Sequence, residues 1–167
     1  MAMVRSSVTT LSSPSLIEYK GSGFLIFDCP TDSNLDVYLK ELKNFNVKYL
    51  VRACEPSYST DKLKAESIQV FDLPFPDGSA PTEQIIVDWL SVVRTMTKEK
   101  NGIIGVHCVA GLGRAPVLVA IALIELGASY DDAIEMIREK RKGAINAKQL
   151  KFLKSYHPRR KGGCTIM

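Results

Sequence analysis

The most specific chemistry in this sequence lies between a cysteine and an arginine six positions apart. Cys108 follows an apolar run at 103–106, Arg114 begins a second apolar run, and Gly111 and Gly113 lie between them. Glycines allow a tight loop whose backbone N–H groups point inward, and the N-terminus of a following helix adds partial positive charge. Arg114 can hold two phosphate oxygens with its planar guanidinium. The segment therefore predicts a phosphate-binding loop made of Val109, Ala110, Gly111, Leu112, Gly113 and Arg114.

Cys108 is the predicted nucleophile of this loop. The positive field of the helix N-terminus and of Arg114 favours a thiolate, which is the form of cysteine that attacks phosphorus. A solitary cysteine is more often a small apolar core residue, and that interpretation fits Cys29. Around Cys108, a strand, two glycines, an arginine and a helix occur together, and this combination favours the catalytic interpretation.

Cleavage of a phosphomonoester also needs an acid that protonates the departing oxygen, and Asp77 is the candidate. It lies in 73–81, a segment too rich in Pro and Gly for regular structure and suited to a mobile loop over the site. An aspartate before Gly78 could also be only a turn residue. Its position 31 residues before Cys108, between a strand and a helix, favours the role of Asp77 as the general acid. Asp72 is the rival, but it lies inside a strand pattern.

The surrounding pattern alternates strands with helices. Strand patterns lie at 15–19, 24–27, 47–53, 68–73 and 103–106. Helix patterns lie at 35–45 after Ser33 and Asn34, from Pro81 onward, at 116–126, at 131–142 after Ser129, and at 147–156 after Asn146. Such alternation predicts a single α/β domain with a central, mostly parallel sheet flanked by helices. We place the domain at 15–157, between a flexible N-terminus at 1–14 and a basic tail at 158–167.

Composition and charge exclude several classes of protein. The 167 residues are 46% hydrophobic and 24% charged, which is ordinary for a globular domain, and no apolar run reaches the ~20 residues that span a bilayer. The N-terminal segment lacks the apolar stretch of a signal peptide, and Ala2 excludes N-myristoylation. The net charge of +4 is not accompanied by an aromatic platform, which argues against nucleic-acid binding.

The spacing of the cysteines argues against a zinc site. Cys29, Cys54, Cys108 and Cys164 are far apart and form no C-x-x-C pair. Without a secretory signal, a structural disulfide framework is not expected in a reducing cytosol. The predicted chemistry needs neither a metal nor a cofactor.

The sequence resembles the protein tyrosine phosphatase superfamily and, within its dual-specificity-like branch, the PRL group, the phosphatases of regenerating liver. The resemblance covers roughly 15–167. Besides the loop, it rests on V-R-A-C-E at 51–55, F-x-D-G at 75–78, D-W-L at 88–90, K-G-A at 142–144, N-A-K-Q-L at 146–150 and C-T-I-M at 164–167. It implies that Cys108 is the nucleophile, Arg114 the phosphate binder and Asp77 the general acid.

Other implications come from the resemblance alone. Cys54 matches a cysteine that forms a reversible disulfide with the nucleophile, although from the sequence itself Cys54 would be placed in the core. Members of the group bind cyclin M-type magnesium transport proteins, and trimers are known among them. Related phosphatases usually carry Ser or Thr where this chain has Ala115, so we expect slow turnover. Gly163 stands where many animal relatives have a second cysteine, and Leu73 and Pro76 also depart from the animal pattern.

The C-terminus predicts attachment to a membrane. The four residues that begin with Cys164 fit C-a-a-X, and a terminal Met favours a farnesyl group. One lipid chain binds only reversibly, so a second signal is needed. A cationic C-terminal end could bind an anionic membrane surface. The basic residues of this end are Lys148, Lys151, Lys154, Arg159, Arg160 and Lys161. The three lysines in the predicted helix could also simply be solvated. The expected location is the cytoplasmic face of the plasma membrane or of endosomes.

Together these features predict a cysteine-dependent protein phosphatase that acts on phosphomonoesters, first of all phosphotyrosine. Two alternatives stay open. The chain could be a binding regulator of cyclin M-type transport proteins whose turnover is incidental, or a phosphoinositide phosphatase. A rhodanese-like sulfurtransferase is weaker, because it leaves Asp77 and the C-a-a-X box unexplained.

Overall fold

Five strands form one mixed sheet in the computed structural model, which describes residues 13–100 and 102–159. The strands are β1 (Ser15–Tyr19), β2 (Ser22–Phe27), β3 (Tyr49–Arg52), β4 (Gln69–Asp72) and β5 (Ile103–His107). Their order in the sheet is β1-β2-β5-β3-β4. Only the β1–β2 pair is antiparallel, and the other pairs are parallel. The prediction of a single α/β domain with a mostly parallel sheet is confirmed.

Within the described residues, six helices cover the sheet. They are α1 (Leu35–Asn44), α2 (Asp61–Ala65), α3 (Glu83–Thr97), α4 (Arg114–Glu125), α5 (Tyr130–Lys140) and α6 (Ala147–Lys154). Successive residues of a strand point to opposite faces, so neighbouring side chains of β2 enter different cores. Phe24 and Ile26 pack with residues of α3, α4, α5 and α6, whereas Leu25 and Phe27 pack with residues of α1 and α2. This two-sided burial explains why β2 carries an apolar run without alternation.

Helix α4 lies at the centre of the molecule. Every residue from Arg114 to Ile124 is buried. A helix that is apolar on all sides cannot face water, so it must be enclosed by other elements. The helix that follows the predicted phosphate loop therefore has a fixed position relative to the sheet.

Local signals located several helix ends correctly. Ser129 and Asn146 are N-caps whose side chains accept hydrogen bonds from Asp132 N–H and Gln149 N–H. The start of α3 differs from the prediction, because Pro81 precedes the helix and Thr82 is the N-cap that accepts from Ile85 N–H. Helix α2 was not predicted, since five residues are too few to display an amphipathic repeat.

The predicted termini fall largely outside the described residues, namely 1–12 and 160–167. The domain boundaries at 14 and 158 thus stay predictions. Among the described residues, no helix is both long enough and apolar enough to cross a bilayer.

Candidate active site

The carboxyl ends of four parallel strands meet at one edge of the sheet. Phe27 at the end of β2 pairs with His107 at the end of β5, His107 pairs with Arg52 on β3, and Arg52 pairs with Asp72 on β4. The segments that leave these strands carry Cys29, Cys54, the acid candidates and the loop that begins at Cys108. Open α/β sheets bind their ligands at this edge.

The predicted phosphate loop turns its carbonyl groups away from its centre. The carbonyls accept hydrogen bonds from outside the loop: Val109 from Cys29 N–H at 2.9 Å, Ala110 and Gly111 from Arg141 at 3.2 and 2.8 Å, and Leu112 from Ile145 N–H at 2.7 Å. Within 13–100 and 102–159, the amide N–H groups of 109–113 donate to no other residue. A concave set of uncommitted backbone donors at the N-terminus of a buried helix is suited to bind an anion.

Arg141 fixes the shape of this loop, although no motif in the sequence marked it as a functional residue. It is 8% exposed, and its guanidinium bonds two loop carbonyls and the Asp28 carboxylate, the latter at 2.7 Å. Gly111 has φ of +66°, and a Cβ there would lie 2.5 Å from Arg141 Nη2. A side chain at this position would collide with the guanidinium, so the glycine is required by both its backbone conformation and its neighbour.

Cys108 and Arg114 lie at the two ends of the predicted phosphate loop, and both are buried. Cys108 is 3% exposed and follows β5 directly. Arg114 Nη1 donates to the Phe75 carbonyl at 3.3 Å, but its buried Nε has no hydrogen-bond partner among the described residues. A buried charged donor that makes no hydrogen bond is costly, which indicates that this N–H is available to a ligand.

The loop that carries Asp77 lies over Arg114. Asp77 Oδ1 is 3.7 Å from Arg114 Nε, while the aspartate side chain is 86% exposed. The N-cap of α6 and a residue of its first turn hold the next residues of this loop: Asn146 donates to the Gly78 carbonyl at 3.1 Å and Gln149 to the Ser79 carbonyl at 3.2 Å. Asp77 is therefore held near the predicted phosphate-binding residues without being packed into the protein.

The rival acid Asp72 is committed elsewhere. Its two carboxylate oxygens accept from Arg52 Nε at 2.5 Å and from Arg52 Nη2 at 2.9 Å. Arg52 is 5% exposed and also donates to the Tyr58 carbonyl. Removing the Asp72 charge would leave that guanidinium buried and unpaired, so Asp72 is a structural partner of Arg52.

Cys54 lies in the buried layer beside the phosphate loop. It is 3% exposed, and its Sγ is 3.9 Å from Nδ1 of the fully buried His107. Cys29 differs from the prediction of an ordinary core residue. Its side chain is only partly buried, and its Sγ lies within 4.8 Å of the sulfur of Cys54 and of a His107 ring nitrogen. The spacing of these three residues in the sequence did not predict their proximity, because each lies at or just after the end of a different strand.

The other predicted positions fall into three classes. Ala115 is completely buried in the first turn of α4, and its methyl group offers no hydrogen-bond donor. Val109 and Leu112 are 61% and 41% exposed and form an apolar rim around the loop. Cys164 lies outside the described residues.

Comparisons with known proteins agree with this geometry. Residues 28–128 match the family model described as "Polymorphic toxin system, DSP-PTPase phosphatase". The chain is 52% identical to the "Probable protein tyrosine phosphatase type IVA A" of Dictyostelium discoideum over 92% of this chain and 93% of that protein. It is 55% identical to the "PRL-1 phosphatase" of Drosophila melanogaster over 87% and 84% of the two chains.

A solved structure also resembles the whole domain. The protein tyrosine phosphatase from Leishmania major has a TM-score of 0.77 and 43% identity, covering 87% of this chain and 99% of that one. Fold, loop geometry and sequence identity thus lead to the same conclusion. The chain belongs to the PRL, or type IVA, family of protein tyrosine phosphatases.

Proposed function

We propose that this protein hydrolyses phosphomonoesters, with phosphotyrosine in proteins as the preferred class, through a phosphocysteine on Cys108. The observation that carries the proposal is the set of uncommitted N–H groups around Cys108, completed by Arg114 Nε, which makes no hydrogen bond among the described residues and lies 3.7 Å from Asp77 Oδ1. These donors match the equatorial oxygens of a phosphoryl group and stabilise the charge that develops on them during transfer. No group in this scheme requires a metal.

The reaction runs in two steps. The Cys108 thiolate attacks phosphorus, the P–O bond to the substrate breaks, and Asp77 donates its proton to the leaving oxygen. Asp77, now a carboxylate, takes a proton from water as the water attacks phosphorus, and the P–S bond breaks to release phosphate and the thiolate. The exposure of Asp77 and its distance of 3.7 Å from Arg114 support a role at the mouth of the loop.

Slow release of phosphate follows from Ala115. When the P–S bond breaks, sulfur regains negative charge, and a hydroxyl at this position could stabilise it with a hydrogen bond. Alanine offers none. A bond to a charged group contributes roughly 1.5–3 kcal/mol, and each 1.36 kcal/mol is tenfold in rate, so the second step is slower by about ten- to a hundredfold.

We therefore expect a burst of product equal to the enzyme concentration, followed by slow turnover, and a faster second phase in Ala115→Ser with an unchanged burst. Rapid-quench kinetics with a phosphotyrosine peptide measures both phases, and acid-quenched protein reveals the phosphocysteine by mass spectrometry. If no phosphocysteine accumulates in the wild type, or if Ala115→Ser leaves the steady rate as it was, the missing hydroxyl does not limit this enzyme.

A binding role is the second candidate, and it is favoured by the exposed Val109 and Leu112 together with the missing hydroxyl at Ala115. An apolar rim around a slowly turning site could dock a protein such as a cyclin M-type transporter. Capture from cells with the double variant Cys108→Ser, Asp77→Ala separates the candidates. Phosphorylated proteins or phosphoinositides in the captured material support the phosphatase, whereas capture of a transporter that survives pretreatment with a phosphatase supports the binding role.

Oxidation provides a further prediction for the proposed site. Peroxide converts the Cys108 thiolate to a sulfenic acid, and the Cys54 thiol attacks that sulfur, which forms the disulfide and releases water. We expect mass spectrometry of mildly oxidised protein to find the linked Cys54 and Cys108 peptides, and to find them also in Cys29→Ser. Recovery of only Cys108 sulfinic acid, or of a Cys29–Cys54 disulfide as the main product, would contradict this pairing.

Membrane attachment through Cys164 is the remaining part of the proposal. Lys148, Lys151 and Lys154 are exposed on α6, but Arg159 is paired with Glu83, at 2.5 Å from Nη1 and 2.7 Å from Nη2. Each unpaired basic residue near an anionic leaflet contributes about 1 kcal/mol, and the ion pair reduces the share of Arg159.

We expect Cys164→Ser to move the protein from the membrane to the soluble fraction of cells. Met167→Leu is the matched control, because a terminal Leu directs a geranylgeranyl group to the same cysteine and should keep the protein on membranes. Fractionation followed by immunoblotting checks both variants. An unchanged membrane fraction for Cys164→Ser would exclude the lipid anchor.

A further inference from the structure

Three metal-ligating side chains converge beside the phosphate loop although they are far apart in the sequence. Cys29 follows β2, Cys54 follows β3, and His107 ends β5. One ligand atom from each lies within 4.8 Å of the other two. None of these residues has an assigned role in phosphoryl transfer. Cys54 has one other proposed role, in the disulfide with Cys108. We call them the Cys-His cluster.

The spacing of this cluster is close to that of a zinc site. In a tetrahedral site with Zn–S near 2.3 Å and Zn–N near 2.0 Å, neighbouring ligand atoms are roughly 3.5–3.8 Å apart. Cys54 Sγ and His107 Nδ1 are already 3.9 Å apart. Cys29 is the least buried of the three, so small rotations of its side chain can close the remaining gap.

The orientation of His107 also suits a role as a metal ligand. Its Nε2 lies 2.6 Å from the Tyr58 hydroxyl. In the tautomer in which Nε2–H donates to the Tyr58 hydroxyl, Nδ1 carries the lone pair that a metal needs. Nδ1 lies 3.9 Å from Cys54 Sγ and 3.2 Å from the Cys108 carbonyl, so a metal bound at Nδ1 would replace the contact with that carbonyl. Metal-bound histidines are commonly oriented in this way by a hydrogen bond to their second nitrogen.

Both thiols of the cluster can serve as metal ligands. Thiolate is the form that binds metal. A bound metal therefore displaces the thiol protons of Cys29 and Cys54 to solvent.

We propose that Cys29 Sγ, Cys54 Sγ and His107 Nδ1 bind a zinc-class divalent ion, with a water as the fourth ligand on the solvent side of Cys29. The donor set of two thiolates and one imidazole selects a soft or borderline metal over Mg²⁺ or Ca²⁺. Cys108 is not a ligand. The consequence is regulatory: a metal on Cys54 withholds that thiol from the Cys54–Cys108 disulfide, so the loaded protein cannot use it to protect its nucleophile.

Cobalt is the probe for this site. The full-length protein carrying Cys164→Ser, reduced and free of oxygen, is titrated with Co²⁺, whose thiolate charge-transfer bands and visible ligand-field bands report the number of sulfur ligands and a tetrahedral geometry. We expect one Co²⁺ bound by two thiolates, displaced by Zn²⁺. The matched variants are Cys29→Ser and Cys108→Ser in the same background. We expect Cys29→Ser to lose at least about tenfold in affinity and one thiolate band, and Cys108→Ser to bind as the parent does.

Two further measurements keep the proposal testable if a variant is unstable. Tyr58→Phe removes the partner of His107 Nε2 and should weaken Co²⁺ binding by about tenfold while both thiolate bands remain. In the parent protein, Zn²⁺ should protect Cys29 and Cys54 from alkylation and leave Cys108 reactive. The proposal is overturned if Cys108→Ser abolishes the Co²⁺ spectrum, if Cys29→Ser leaves it unchanged, or if Zn²⁺ protects Cys108 while Cys29 stays reactive.

Discussion

Cys108→Ser is expected to abolish phosphatase activity, with a loss on the order of 10⁴- to 10⁶-fold, as is typical when a covalent nucleophile is removed. The serine hydroxyl is not ionised near neutral pH and is a poor nucleophile toward phosphorus. The substitution nearly preserves volume at a position that is 3% exposed, so the fold should be retained. Initial rates with a phosphotyrosine peptide measure the loss, and the thermal midpoint checks the fold.

Anion binding shows whether Cys108→Ser has lost only its nucleophile or also the structure of its phosphate-binding loop. The loop donors and Arg114 are intact in Cys108→Ser, so inorganic phosphate should still bind and raise its thermal midpoint. Cys164→Ser is the matched cysteine substitution and should retain activity toward a soluble peptide. Residual activity of Cys108→Ser near that of the parent would show that Cys108 is not the nucleophile.

Asp77→Asn is expected to lower kcat/KM for a phosphotyrosine substrate by about 10²- to 10³-fold, because the phenolate leaves without a proton. The loss should shrink with substrates whose leaving groups are more acidic, since these need no protonation. The slope of log kcat/KM against leaving-group acidity therefore becomes steeper in the variant. Steady-state kinetics with a series of aryl phosphates measures that slope.

Asp72→Asn is the control for this experiment. Asp72 is bound to Arg52 by two hydrogen bonds, so its substitution should lower stability but keep the shallow slope of the parent. If Asp72→Asn steepens the slope and Asp77→Asn does not, the acid has been assigned to the wrong residue.

Sequence alone determined the local parts of this protein. The candidate phosphate loop could be recognised in the sequence because its parts are contiguous: Cys108, two glycines and Arg114 lie within seven residues, between a strand and a helix. The caps at Ser129 and Asn146 were predictable for the same reason, since a cap bonds a backbone N–H only a few residues away. The alternation of strands and helices was sufficient for the fold class, because a parallel strand needs a crossover connection.

Only the tertiary structure decided which distant side chains meet. Arg141 reaches the carbonyls of Ala110 and Gly111 across some 30 positions of sequence, and nothing in its own neighbourhood distinguishes it from other basic residues after a helix. The structure distinguishes the two acid candidates by their neighbours. Asp72 is paired with Arg52, whereas Asp77 lies beside Arg114.

The cysteines give the clearest contrast. Their spacing argued against a metal site, yet Cys29 and Cys54 lie together with His107. Spacing rules detect ligands carried by one local turn, whereas these three are brought together by the register of β2, β5 and β3, whose carboxyl ends form one row. That register is set by burial on both faces of the sheet, which no local spacing of cysteines can reveal.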